Sequence, residues 1–201
     1  MIMSARSTAG PDSSSRYPTP AEYKKMRADY RPAHLRAIFI LESPPKSGKY
    51  FYNPHGTVHE QLFRAMMEFI KVKPSSKQDG LGAFRDRGFI VVDASYAPVN
   101  DFKAKARDEA ILREYDSLLR DLSLLNPNKD VPLILVKANV CKLLGPSLTA
   151  AGFKVANNAI TIPFPGSGRQ KEFRDKLAAV METVGLKLTW PCDPDRQDLA
   201  S

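Results

Sequence analysis

The chain has 201 residues and carries 30 Lys plus Arg against 22 Asp plus Glu, a formal net charge of +8. With 43% hydrophobic and 26% charged residues it is close to the globular norm, which excludes a chain disordered throughout. Its basic balance points to nucleic acid rather than to an anionic membrane surface.

Two isolated cysteines, Cys141 and Cys192, form no CxxC and no zinc-type cluster, and an iron–sulfur cluster usually wants four thiolates. Their isolation suggests a reducing compartment, and no metal or cofactor is expected. No apolar run approaches the roughly 20 residues of a membrane span, and there is no apolar core of a signal peptide. The expectation is a cytoplasmic, nucleoid-associated monomer.

In chain order, residues 1–20 read as a disordered basic tail, since eleven of them are Ser, Thr, Gly or Pro. Residues 21–201 read as one domain. Thr19 caps a short basic helix, with Pro20 at its first position and Glu22 completing a capping box. Leu35–Leu41 is a buried strand, followed by a Pro- and Gly-rich loop over 43–56. Apolar residues at helical spacing predict a helix over 57–72. Phe89–Asp93 is a second strand, and 103–125 reads as one long helix. Pro132–Val136 is a third strand, and 138–145 a helix stopped by Gly145-Pro146. Phe153–Ala156 is a short fourth strand. Ile160–Phe164 is either a further strand or an extended run into a loop, before a last helix over 168–184.

Strands alternating with helices predict an α/β fold, a three-layer α/β/α sandwich around a mostly parallel four-stranded sheet. Ligands in such sheets sit beyond the carboxyl ends of the strands. Three loops there carry chemistry. The first runs Glu42-Ser43-Pro44-Pro45-Lys46-Ser47-Gly48-Lys49-Tyr50-Phe51-Tyr52-Asn53. It joins a strand-end carboxylate to a rigid turn and to aromatics able to stack a base. The second begins at Asp93, an acid at a strand end. The third is Ile162-Pro163-Phe164-Pro165-Gly166-Ser167-Gly168-Arg169-Gln170-Lys171, a Gly-Ser-Gly turn opening a helix, the setting of a phosphate site. It lacks the GxxxxGK[ST] of a P-loop. His55 and His59, at the next helix start, read as surface or capping residues.

The order and spacing of these loops resemble the uracil-DNA glycosylase superfamily over roughly residues 35–185. Leu41-Glu42-Ser43-Pro44-Pro45 is similar to its motif A. Gly48-Lys49-Tyr50-Phe51 is similar to the segment whose Phe stacks on flipped uracil. Ile162-Pro163-Phe164-Pro165-Gly166-Ser167-Gly168 is similar to its motif B. Asp93 falls where the family has the Asn that reads the base edge. Three positions depart from the pattern: Ile162 replaces the motif B His, Ser43 replaces the Asp of the most active members, and Asp93 replaces the Asn. The cluster cysteines of some members are absent.

The resemblance implies a DNA repair enzyme that hydrolyses the N-glycosidic bond of a flipped uracil. Glu42, Ser43 and Asp93 would be catalytic. Phe51, Tyr52, Pro44 and Asn53 would hold the base. Ser167, Arg169, Gln170, Lys171 and Lys46 would grip the DNA. With Ile162 unable to donate, the donors to the departing base would be backbone N–H groups near Ser43–Lys46, or Ser167 and Arg169. An ionised Asp93 about 4 Å from a developing anion would cost roughly 4 kcal/mol at an effective dielectric near 20. Three arrangements remove the conflict: a neutral Asp93 that donates, an Asp93 that accepts from a cytosine-like amine, or an Asp93 outside the pocket. The first is the working expectation. The alternatives to the enzyme are a non-catalytic DNA or abasic-site binder of the same fold, and a small-molecule nucleotide hydrolase.

Overall fold

The computed structural model describes residues 17–186. Most of the expected tail, and Cys192, lie outside them. The first helix, α1 (Pro20–Ala28), starts as its sequence dictates: Thr19 caps it and Glu22 closes the capping box. Its buried face carries Tyr23 and Arg27. The Arg27 guanidinium makes a two-pronged bond to Asp121 at 2.7 and 2.8 Å and donates to the Tyr96 hydroxyl at 2.9 Å.

The sheet is parallel, with β1 (Ala37–Leu41) between β2 (Phe89–Asp93) and β3 (Leu133–Leu135). All thirteen of these residues are buried, as the unbroken apolar runs require. Register sets Leu41 beside Asp93, and the two chains stay paired past the strand ends: Ala94 and Ser95 amides donate to the Leu41 and Glu42 carbonyls.

A fourth strand was expected, and among the described residues the sheet has three. The outer edge of β3 meets the chain only at single bridges, Leu133 with Val155 and Val136 with Ile162. The reason is Asn157. Its carboxamide accepts from the Leu135 amide at 2.9 Å and donates to the Leu135 carbonyl at 2.8 Å. A buried side chain thus occupies the place of a strand's backbone, so 153–156 and 160–164 never run on as one strand.

The helices depart from expectation at four places. α2 is shorter than 57–72, spanning Gln61–Phe69. The helix expected over 103–125 breaks at Glu114 into α4 (Ala104–Arg113) and α5 (Tyr115–Leu125), which leaves Leu112 exposed while Ile111, Leu118 and Leu122 stay buried. α6 (Ala138–Ala150) runs through Pro146 instead of stopping there. A proline inside a helix costs about 3 kcal/mol; Leu144 and Leu148, both fully buried on either side of it, offset that at about 1.5–3 kcal/mol each. α3 (Lys77–Asp86) was not expected at all. The last helix, α7 (Gln170–Thr183), lies within its expected span and packs on α2, as α3 does on β2 and α6 on both β3 and α4.

Candidate functional site

A cavity of about 560 Å³ opens at the carboxyl ends of the three strands. Each strand end contributes one ionisable side chain to its wall: Glu42 just beyond β1, Asp93 at the end of β2, and Lys137 just beyond β3. The turn 43–51 forms another side, and Phe164 faces in from the segment bridged to β3.

The turn is held from behind by a buried ion pair. Lys77 of α3 donates to the Tyr50 carbonyl and to Glu60, each at 2.6 Å. Burial lowers the Lys77 pKa, and Glu60 opposes that. Tyr50, Phe51 and Tyr52 then pack edge to face, and Phe51 also meets Phe63 and Phe84. The Phe51 ring is therefore a fixed wall, buried on its core side and facing the cavity on the other.

Glu42 is 7% exposed and is the centre of a polar cluster. Its carboxylate accepts from Lys137 Nζ and, at 2.6 Å, from Asn139 Nδ2. Arg107 Nε stops 3.7 Å away, at ion-pair distance, and its buried N–H has no hydrogen-bond partner.

Asp93 is 3% exposed, and no hydrogen bond from a described residue reaches its carboxyl oxygens. Burial pushes its pKa up to about 7, with the Arg27 charge pulling the other way. The Asp93 oxygens open onto the cavity with no competing hydrogen bond from a described residue, so they are available to whatever fills it.

Lys137 was not singled out from the sequence. Its backbone has φ 86 and ψ 142, a region L side chains rarely adopt and one that costs on the order of 1–3 kcal/mol. Its amide donates to the Ile162 carbonyl at 2.8 Å. The loop after β3 obeys the same strand-end rule as Glu42 and Asp93, and that rule is the signal in the sequence that points to Lys137. Asn139, Arg107 and the aromatic wall at Phe164 were likewise given no role.

Of the residues singled out, Glu42, Ser43, Pro44, Phe51 and Asp93 come together on the cavity wall. Ser43 Oγ also accepts from the Val99 amide at 3.4 Å. Tyr52 and Asn53 are not on that wall. The Tyr52 hydroxyl accepts from the Val91 amide at 2.7 Å, so it braces the strand behind the aromatic floor. The Asn53 side-chain Oδ1 accepts from the His55 amide and completes a turn. His59 is exposed on the rim. Lys46 is exposed and pairs with Asp101, while its amide donates to Asn100 Oδ1. Ser167, Arg169, Gln170 and Lys171 form the turn and start of α7, off the cavity wall; Arg169 pairs with Glu172 and Lys171 with Asp175. The turn needs left-handed backbone at Ser167 and Gly168.

Among the described residues no group of three or more His, Cys, Asp or Glu is placed to hold a metal ion, and no helix is long and apolar enough to cross a membrane. No protein-family model matches the chain, and no curated protein matches it in sequence.

Proposed function

We propose that the chain is a DNA base-excision glycosylase of the uracil-DNA glycosylase kind, working as a monomer without metal or cofactor. The observation that carries this reading is the unpartnered carboxyl of Asp93, buried in a cavity that also holds the Phe51 wall and the Glu42 cluster. On this reading the fold is a three-layer α/β/α sandwich whose fourth strand position is completed by the Asn157 side chain.

The target nucleotide leaves the duplex at a cost of a few kcal/mol and enters the cavity. Phe51 fixes the plane of the base. Below about pH 7 the neutral Asp93 carboxyl offers a donor and an acceptor side by side, the complement of a lactam edge. Glu42, held in place by Asn139, positions the water and steadies positive charge on the sugar, as a carboxylate does in glycoside hydrolysis. The exposed Arg169 and Lys171 exchange weak surface ion pairs for DNA phosphates.

Incubation with a single-stranded uracil oligonucleotide in EDTA, followed by alkali, tests this. Strand breaks at uracil are the expected result. Binding without breaks would make the chain a DNA-binding module, and neither breaks nor binding would return the cavity to a small-molecule substrate.

A further inference from the structure

We propose that Lys137 is the group that receives the negative charge of the departing base, in place of the histidine absent at residue 162. The proposal rests on the glycosylase reading and adds to it the residue that makes the base a leaving group.

Three observations converge on Lys137. First, position: its amide is bonded to the Ile162 carbonyl, and Val136 bridges Ile162, so the lysine sits against the residue whose side chain carries no donor. Second, orientation: its ammonium reaches the cavity wall and pairs there with Glu42. An ammonium has three donors, so the pairing leaves donors for a ligand. Third, strain: the backbone holds a left-handed conformation that glycine would adopt without cost, and a lysine occupies it. Such outliers persist where the side chain has work to do.

Four other candidate donors are engaged or remote. The Lys46 and Gly48 amides of the turn are bonded to Asn100 Oδ1 and the Pro45 carbonyl. Ser167 and Arg169 do not line the cavity. Lys49 and His59 do line it, yet both are exposed and no described partner anchors either.

The bond between C1′ and the base nitrogen breaks and its electron pair goes to the base. Water oxygen bonds to C1′ and its proton passes to Glu42 or solvent. The anionic base accepts a hydrogen bond from the Lys137 ammonium and takes up a proton from it or from water, so that one water is split overall. Preorganised donors of this kind contribute about 10²–10³ in rate.

Leaving-group acidity provides a readout that a structural role would not move. Single-turnover release of uracil and of 5-fluorouracil, whose anion is the more stable, is measured from single-stranded oligonucleotides for wild type, Lys137→Gly, Lys137→Gln and Lys137→Arg. Lys137→Gly relieves the backbone and should fold. It is expected to slow uracil release about 10²–10³-fold and 5-fluorouracil release at least tenfold less. Added methylammonium should restore part of the uracil rate, and Lys137→Arg should keep most of it. Equal loss on both bases in the folded Gly and Gln variants, or no loss, would overturn the role while leaving the glycosylase reading in place. A wild type that releases neither base would sink both.

Discussion

On the proposed reading, Asp93 joins chemistry to stability in one side chain. Its folded pKa, about 7, lies above the unfolded value of 3.8. Between those values the unfolded chain releases the proton first, so stability falls as pH rises from about 4 and levels off above about 7. Asp93→Asn removes the titration. Its melting temperature should stay flat from pH 5 to 8.5 while that of the wild type declines, and at pH 8 the variant should be the more stable. The catalytic counterpart uses the same pKa. Wild-type uracil release should drop above about pH 7, and Asp93→Asn should flatten that alkaline limb. A wild type that attacks cytosine, with an Asn variant that does not, would instead make Asp93 an acceptor. At Glu42 the expectation is separate: Glu42→Gln should lose most turnover while DNA affinity, read by fluorescence anisotropy, stays within about threefold, because on the proposed reading Glu42 acts on water and sugar rather than on phosphate. Unchanged turnover would remove Glu42 from the mechanism.

Asn157 shows how much of one element a single side chain can carry. Asn157→Leu keeps the volume but strips the Leu135 amide of its partner and leaves the Leu135 carbonyl only the Cys141 Sγ contact at 3.5 Å. One orphaned buried group should cost about 1–3 kcal/mol in urea denaturation; a loss under about 0.5 kcal/mol would mean that water replaces the carboxamide. This substitution for strand backbone is also why the fourth strand misled: Phe153–Ala156 has the composition of a strand, and nothing local reveals that pairing ends at an asparagine two bonds from the chain. The central strands were legible because they are continuous apolar runs with buried neighbours on both sides. α3 stayed hidden behind Gly80 and Gly82, although Ser76 and Asp79 form a capping box that sequence could have shown. Gly80 is there for packing, since a Cβ would come within 2.5 Å of the Phe63 ring. In the site, Glu42 and Asp93 were readable as acids at strand ends. Arg107 was not, because an arginine on a helix gives no sign of which distant carboxylate it approaches.

For the molecule as a whole, the net charge of +8 matters less than where cations are free to move. Arg169 and Lys171 stand at the start of α7, each paired with an acid three or four residues on. Exposed pairs of this kind contribute 1 kcal/mol or less, so a phosphate can displace them. Arg169→Ala with Lys171→Ala should weaken binding to every DNA sequence. On duplex it should lower the slope of log affinity against log salt by about 0.9 per lost phosphate contact. An unchanged slope would place the DNA backbone elsewhere. Deleting residues 1–18, which carry Arg6 and Arg16 against Asp12, should matter much less.

The single bridges at the outer edge of β3 have a consequence for isotope exchange. β1 is bonded on both sides and fully buried, so its amides should take up deuterium only through global unfolding. Residues 158–161, between the bridges, should label at early times. The peptide carrying Phe164 is tied to the chain just beyond β3 at the Val136–Ile162 bridge, where the Lys137 amide bonds the Ile162 carbonyl, so it can breathe in a subglobal opening that leaves the sheet intact. Uptake there should be intermediate, and an abasic-site oligonucleotide filling the cavity should slow it without altering β1.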